Sequence, residues 1–220
     1  MLDGALKVKN LTKLVPKLGM NAVALTDHGN MYGAISFYKY AKEAGIKAIL
    51  GAELEVVSGS HGHHLPLLAA TEEGYKNLVA LVSRGYVDPD PNGAPGVPCV
   101  PLSALEGKTK GLIGLTGCMG GVIAQSILEQ GPEAGAKSLA YLKDVFEPGS
   151  LYVELQDHGL PEQPILKGIL KDLARRFDLP IVATNDVHYG AKEDSEANLF
   201  LTCIKTGRSF EEAKDRHHGS

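Results

Sequence analysis

Residues 21–33 read "NAVALTDHGNMYG", a short apolar run that stops at an aspartate, a histidine and a glycine before an amphipathic segment begins. The apolar run has the length and composition of a β-strand, and Ala34, Phe37 and Ala41 follow it at helical spacing. A strand that leads through a polar tip into a helix is the repeating unit of β/α folds. The segment therefore predicts an α/β protein with His28 at the end of a strand.

The same alternation continues along the chain. Five further strands are predicted: "IKAILGAELEVV" (46–57), "LPLLAA" (65–70), "GLIGLTG" (111–117), "LYVELQ" (151–156) and "LPIVATN" (179–185). The clearest helices are predicted over residues 161–178 and 192–206. Because the strands are apolar on both faces, they indicate a parallel sheet covered by helices, which is either an open doubly wound sheet or a closed barrel.

Composition limits the class of protein. The 220 residues are 44% hydrophobic and 22% charged, which suits one domain spanning residues 1–220, and residues 87–101 are too rich in proline and glycine to be more than a loop. We find neither a signal peptide nor a run of about 18 apolar residues, so we expect a cytoplasmic protein with no membrane contact. Three cysteines argue against a disulfide framework, and a net charge of −4 gives no chain-wide basic footprint.

Five predicted strands end in side chains that bind metals. The groups are Asp27 with His28, Glu53, Cys118, Asp157 with His158, and Asp186 with His188. Because the carboxyl ends of parallel strands share one face of the fold, these side chains are expected to meet in one pocket. Imidazole, carboxylate and thiolate together suit Zn²⁺ or Mn²⁺, whereas Mg²⁺ prefers oxygen ligands alone.

Each of these residues also has a plainer interpretation. His28 alone is more often a loop histidine with a satisfied hydrogen bond, Cys118 alone a small buried apolar residue, and Glu53 a partner for a lysine. The "HGHH" segment at 61–64 precedes its predicted strand. We therefore expect His61, His63 and His64 to lie at the opposite end of the fold, outside the pocket.

Five segments together resemble a known family: "LDGA" (2–5), "ALTDHGNMYGAISFYKYAKEAGIKAILGAEL" (24–54), "GLIGLTGC" (111–118), "ELQDHGLPEQ" (154–163) and "IVATNDVHY" (181–189). They resemble the polymerase and histidinol phosphatase (PHP) domain, in the form found at the N-terminus of bacterial replicative DNA polymerase III α subunits. The resemblance implies a distorted seven-stranded β/α barrel. Most of its first strand is missing here, because the family's His-x-His motif before "LDGA" is absent from this chain.

The resemblance also implies a site and an activity. It implies the metal ligands Asp3, His28, Glu53, Cys118, His158, Asp186 and His188, with Asp27 orienting a neighbour, and up to three Zn²⁺ or Mn²⁺ ions in a complete site. The implied activity is metal-dependent phosphoester hydrolysis, namely 3′–5′ exonuclease proofreading at DNA 3′ ends. The chain by itself is expected to bind metal weakly and to be nearly inactive.

Residues 1–220 would then be a piece of a polymerase subunit, with the remainder of that subunit and a proofreading exonuclease subunit as partners. Polymerization itself would lie C-terminal to this piece. Two alternatives stay open. One is a free-standing phosphatase acting on a small phosphate monoester such as histidinol phosphate, and the other is a noncatalytic scaffold domain.

Overall fold

The protein has a mixed α/β fold, seen in a computed structural model that describes residues 4–212. The strands are β1 (Ala22–Leu25), β2 (Lys47–Ser58), β3 (His61–Ala69), β4 (Cys99–Pro101), β5 (Leu112–Leu115), β6 (Leu151–Leu155) and β7 (Ile181–Ala183). The helices are α1 (Val8–Lys17), α2 (Ala34–Glu43), α3 (Glu72–Val87), α4 (Val122–Gln130), α5 (Pro132–Val145), α6 (Gln163–Phe177) and α7 (Ser195–Thr206). The predicted helices at 161–178 and 192–206 are confirmed as α6 and α7.

The seven strands form one curled, half-barrel sheet in the order β1-β2-β3-β5-β6-β7, with β4 pairing with β2 outside this path. Strand pairs β1–β2, β2–β4, β5–β6 and β6–β7 are parallel. Strand β3 runs antiparallel to both of its neighbours, β2 and β5. Within residues 4–212, β1 and β7 do not pair, so the sheet stays open between them.

The prediction of an all-parallel sheet is wrong at β3. Strands β2 and β3 are joined by only two residues, Gly59 and Ser60, and Gly59 adopts a φ of +71°. A two-residue connection with a positive φ at its first residue makes a hairpin, and a hairpin is necessarily antiparallel. Strand β3 therefore begins at His61, four residues earlier than predicted.

The prediction of a structureless loop over residues 87–101 is wrong at its end. Cys99 and Val100 are buried and pair with Glu55 and Val56 of β2. Two consecutive apolar residues are enough to add a short strand when the neighbouring strand offers free backbone groups. The described residues therefore contain seven strands rather than six.

The core lies between the sheet and helices α3 to α6. Leu65 and Leu67 on β3 and Leu112 on β5 are fully buried against helical side chains such as Leu78 and Leu139. Helix α3 begins at a cap in which the backbone N–H of Gly74 donates to the side chain of Thr71. These contacts make the middle of the sheet a rigid base for the loops at its edge.

Helices α1 and α2 cover the β1 edge of the sheet and begin side by side. A Cβ on Gly33, just before α2, would lie 3.7 Å from Cγ2 of Val8, the first residue of α1. The segment before α1 reaches the end of β7, because the backbone N–H of Ala5 donates to the carbonyl of His188 at 2.7 Å. Among residues 4–212, no helix has the length and apolar character to cross a bilayer.

Candidate metal centre

The end of β1 is tied to the middle of β2 by backbone hydrogen bonds beyond the regular strand. The N–H of Glu53 donates to the carbonyl of Asp27 at 3.1 Å, and the N–H of Gly29 donates to the carbonyl of Glu53 at 2.7 Å. These two bonds form a parallel bridge between His28 and Glu53. Gly29 has a φ of +62°, which lets the chain turn away at once. His28 is thereby held beside Glu53.

Three side chains meet at this point. Oε1 of Glu53 lies 2.8 Å from Nδ1 of His28 and 3.0 Å from Nδ1 of His64. One ligand atom from each of the three residues lies within 4.8 Å of the other two. Glu53 is buried, whereas the side chains of His28 and His64 are about two-fifths and one-third exposed. The cluster of His28, Glu53 and His64 therefore opens to solvent on its imidazole side.

The prediction that His64 lies outside the pocket is wrong. Because β3 runs antiparallel to β2, its first residues lie beside the second half of β2, with His64 opposite Glu55 in the register. Nε2 of His64 lies 3.6 Å from Oε2 of Glu55, on the face that also carries Glu53. Reversing the strand direction moves the start of β3 to the end of the sheet where the other strands finish.

Cys118 lies next to this cluster, as the sequence predicts. Its Sγ is 3.4 Å from Nδ1 of His64 and accepts a hydrogen bond from the N–H of Gly120 at 3.3 Å. The loop is held over β3 because the N–H of His64 donates to the carbonyl of Gly120 at 3.0 Å. The Cys118 sulfur and the Glu53 carboxylate therefore both lie near Nδ1 of His64.

His188 approaches the cluster from the opposite edge of the sheet. Its ring centroid is 6.1 Å from that of His28, and its Nδ1 lies 2.8 Å from the carbonyl oxygen of Asp186. Asp186 has a φ of +46°, so the segment after β7 is not extended at this residue. The carboxylate of Asp186 still lies near His188, with 3.8 Å between Oδ1 and Nδ1.

The remaining predicted site residues are His158, Asp3 and Asp27. Among the described residues, His158 makes no contact with the cluster; its side chain is exposed and its backbone N–H donates to Oε1 of Gln163 at 2.7 Å. Asp3 lies outside the described residues. Burial raises the pKa of Asp27, and the charge of His28 partly offsets that rise. The role of Asp27 in orienting a neighbouring side chain stays a prediction.

A buried carboxylate that the sequence analysis missed lies behind the site. Glu154 on β6 is 5% exposed and accepts hydrogen bonds from the N–H of Gly117 at 3.0 Å and from the hydroxyl of Thr184. Burial raises the pKa of Glu154, and the charge of Glu53 raises it further. The visible signal was a glutamate inside the apolar run "LYVEL", where a charge needs a partner.

The electrostatics of Glu53 suit a cation. Burial alone would raise the pKa of Glu53, but its interactions with His28 and His64 outweigh burial and lower that pKa to about 2. Glu53 is therefore a carboxylate at neutral pH. Its buried Oε1 has no hydrogen bond of acceptable geometry, although two imidazole nitrogens lie within 3.0 Å. A carboxylate and two imidazoles that converge on one point fit a shared metal ion, whose binding would displace the proton that His64 carries in the metal-free protein.

The sequence is similar to those of known proteins. Residues 1–158 match the family described as "PHP domain". The chain is 38% identical to DNA polymerase III subunit alpha of Borreliella burgdorferi, over 94% of this chain and 19% of that protein. It is 39% identical to the error-prone DNA polymerase of Symbiobacterium thermophilum, over 93% of this chain and 20% of that protein.

The chain thus spans about one fifth of the length of these relatives, and sequence identity does not separate a replicative polymerase from an error-prone one. A crystal structure from Bifidobacterium adolescentis, classed as a metal-dependent phosphoesterase, shares the fold. Its TM-score is 0.52 and its identity 16%, with 84% of each chain covered.

Proposed function

Because the chain belongs to the PHP domain family, we propose that it is a metal-dependent phosphoesterase whose centre is the cluster of His28, Glu53 and His64. The observation that carries the proposal is the buried Oε1 of Glu53, which lies within 3.0 Å of two imidazole nitrogens without a proper hydrogen bond to either. A carboxylate that stays ionised at neutral pH and is flanked by two imidazoles offers the oxygen and nitrogen ligands that a divalent cation binds.

Six described residues would hold the metal. His28, Glu53 and His64 would bind it directly. Cys118, His188 and Asp186 would add ligands: the thiol lies next to His64, the His188 ring near that of His28, and the Asp186 carboxylate near His188. This set of nitrogen, oxygen and sulfur atoms favours Zn²⁺ or Mn²⁺ over Mg²⁺. Asp3, from the family resemblance, stays a prediction, whereas His158 is not part of the proposed set.

The chemistry follows from the ligand set. A divalent cation at this site would lower the pKa of a bound water towards neutrality and stabilise the charge on a phosphoryl oxygen. Glu53 keeps its negative charge at neutral pH, and the imidazoles are exposed on the side from which a phosphate would approach. Hydrolysis at such a site needs no serine or cysteine nucleophile from the protein.

The substrate we propose is the 3′ end of a DNA strand. The polymerase relatives support this choice, and the chain would then be the part of a polymerase subunit that removes nucleotides in the 3′–5′ direction during DNA replication. The rest of that subunit, a proofreading exonuclease subunit and the DNA would be its partners. Residues 1–220 would form one domain of it.

Hydrolysis tests the proposal. The purified chain is stripped with a chelator, reloaded with Zn²⁺ or Mn²⁺, and given a 3′-labelled single-stranded oligonucleotide or p-nitrophenyl phosphate. We expect slow oligonucleotide cleavage that needs the metal and that falls at least about 100-fold in Glu53→Gln, because the variant loses a ligand. The matched control, Glu106→Gln, changes an exposed glutamate and should cleave normally.

Each other outcome has a clear meaning. Cleavage that survives in Glu53→Gln would remove the cluster from the mechanism. Preference for p-nitrophenyl phosphate over the oligonucleotide would favour a small-monoester phosphatase. Metal binding without hydrolysis of either substrate would favour a noncatalytic scaffold.

A further inference from the structure

The positive charge of this acidic protein is concentrated in one part of the chain. Residues 4–47 contain seven lysines and only two acidic residues, Asp27 and Glu43, which gives this segment a net charge of +5 in a chain of −4. We propose that helices α1 and α2 form a binding surface for single-stranded nucleic acid that leads to the metal centre. The proposal deepens the phosphoesterase function, on which its choice of substrate rests.

The lysines form stripes on the two helices. On α1, Lys9, Lys13 and Lys17 recur every four residues, so they lie along one face of the helix, and all three are exposed. The opposite face, with Thr12 and Val15, is buried against the protein. The face that helix α1 offers to solvent is therefore a row of ammonium groups, which suits a polyanion.

The second helix adds charge and aromatic rings. Lys39 and Lys42 on α2 are exposed, and Tyr38, which directly precedes Lys39, is 53% exposed. The ammonium of Lys9 lies 5.8 Å from the ring centroid of Tyr40, which joins the two helices into one surface. Positive charge tracks a phosphate backbone and exposed aromatic rings stack on unpaired bases, so this combination favours a single strand.

These lysines are not used in ion pairs. Elsewhere in residues 4–212, several basic side chains are paired, as in Lys76 with Glu72 and Lys110 with Glu73. None of the seven lysines of residues 4–47 has a carboxylate partner within the part of the chain that is described. Five of them lie on α1 and α2, namely Lys9, Lys13, Lys17, Lys39 and Lys42, and the other two are Lys7 and Lys47. Their charge is available to an external polyanion.

The surface starts at the metal centre. The segment before α1 is bonded to His188 through Ala5, and α2 follows His28 by six residues. Tyr32, which lies between His28 and α2, is 70% exposed. Its backbone N–H donates to Oδ1 of Asn30, and Nδ2 of Asn30 donates to the carbonyl of His28. A strand bound along α1, about 15 Å long, would therefore end at the site of hydrolysis.

Binding without metal tests the surface separately from catalysis. Fluorescence anisotropy of a labelled oligothymidylate of about 16 nucleotides is measured in a chelator, over a range of salt concentrations. Lys9→Ala/Lys13→Ala/Lys17→Ala should weaken binding about tenfold at low salt, and the slope of log affinity against log salt should fall by about 2. Tyr38→Ala should weaken binding about fivefold without changing that slope.

The control removes the same charge elsewhere. Lys108→Ala/Lys137→Ala/Lys171→Ala changes three exposed lysines outside α1 and α2 and should bind within twofold of the parent chain. Equal losses in the two triple variants would overturn the proposal, as would vesicles of anionic lipid that bind the chain while the oligonucleotide does not. Binding is measured in a chelator and cleavage needs the metal, so a parent chain that binds the oligonucleotide but cleaves nothing would mark a failed phosphoesterase, whereas a parent chain that cleaves but does not bind in the chelator would overturn the binding surface.

Discussion

At the scale of residues, Glu154 shows how one buried carboxylate fixes two loops of the site. Its oxygens accept from Gly117, next to Cys118, and from Thr184, two residues before Asp186. Gln156 adds a third donor at 3.3 Å. The loop after β5 and the loop after β7 are therefore held to the same side chain on β6.

Glu154→Ala should be strongly destabilising. The change leaves the Gly117 N–H and the Thr184 hydroxyl without their acceptor, and unsatisfied buried donors cost about 1–3 kcal/mol each. We expect the free energy of unfolding to fall by about 2–4 kcal/mol in urea titrations, and by clearly less in Glu154→Gln, which keeps one acceptor oxygen. Equal stability of the alanine variant and the parent would show that these hydrogen bonds do not hold the loops.

The pH dependence of the metal-free protein reports on His64. Contacts with Cys118, and then with Glu53, raise the pKa of His64 to about 11 from 6.5. A raised pKa in the folded state contributes stability that is complete below pH 6.5 and is lost as the pH rises towards 11. The lowered pKa of Glu53 contributes stability that is complete above pH 4.5 and is lost as the pH falls towards 2.

In a chelator, the free energy of unfolding of the parent chain should therefore fall between pH 6.5 and about 9. The same measurement on His64→Gln should give a flatter profile, because the variant has no proton to lose there. A profile of unchanged slope in His64→Gln would show that His64 is not protonated in the folded metal-free protein.

At the scale of elements, the β2–β3 hairpin decides whether His64 reaches the site. Its turn contains Gly59, which has a positive φ. A side chain at this position would have room, because a Cβ there would have no atom within 4 Å, so a substitution would be penalised by the backbone conformation and not by a clash. Gly59→Val should then cost about 1–2 kcal/mol through backbone strain alone. Because the strain acts on the hairpin that carries His64, zinc affinity should fall several-fold as well.

Gly96→Val is the matched control. Gly96 has a φ of +77° and equally open surroundings, but it lies in the loop before β4. It should lose similar stability in urea titrations and keep the zinc affinity of the parent chain. A zinc affinity that falls equally in both variants would mean that lost stability, and not the position of His64, explains the effect.

The hairpin also shows what the sequence could and could not predict. The strand ends that lead to His28 and Cys118 were located from apolar runs that stop at polar residues, because that pattern depends only on local sequence. Glu53 was expected at a strand end as well, but it lies in the middle of β2. The direction of β3 depends on Gly59 and Ser60, a two-residue turn signal between two strands that was present but not weighed. Without it, a histidine that precedes an apolar run is placed at the wrong end of the sheet.

Contacts between distant segments were beyond the sequence patterns. Glu154 becomes important only because Gly117 and Thr184, more than 25 residues away on either side, come next to it in the sheet. The pairing of β4 with β2 likewise depends on free backbone groups of another strand. Periodicity reports burial within one element and carries no information about which element lies beside it.

At the scale of the whole molecule, the curl of the sheet makes the site. Strands β1 and β7 are at opposite ends of the strand order, yet His28, after β1, and His188, after β7, have ring centroids 6.1 Å apart. A flat sheet of this order would separate them by several strand spacings of about 4.8 Å. The curl thus brings ligands from both edges to one point, with Glu53 and His64 from the middle of the sheet.

His28, Glu53 and His64 are expected to hold a divalent metal, and His158 is not. Calorimetric titration of Zn²⁺ into the chelator-treated chain tests this expectation most directly, with the variants Glu53→Gln, His64→Gln and His158→Gln compared under one buffer. We predict at least a tenfold loss of affinity in Glu53→Gln and in His64→Gln, and an affinity within twofold of the parent in His158→Gln. Unchanged affinity in Glu53→Gln, or a loss in His158→Gln as large as that in His64→Gln, would show that the metal is not held by the cluster of His28, Glu53 and His64.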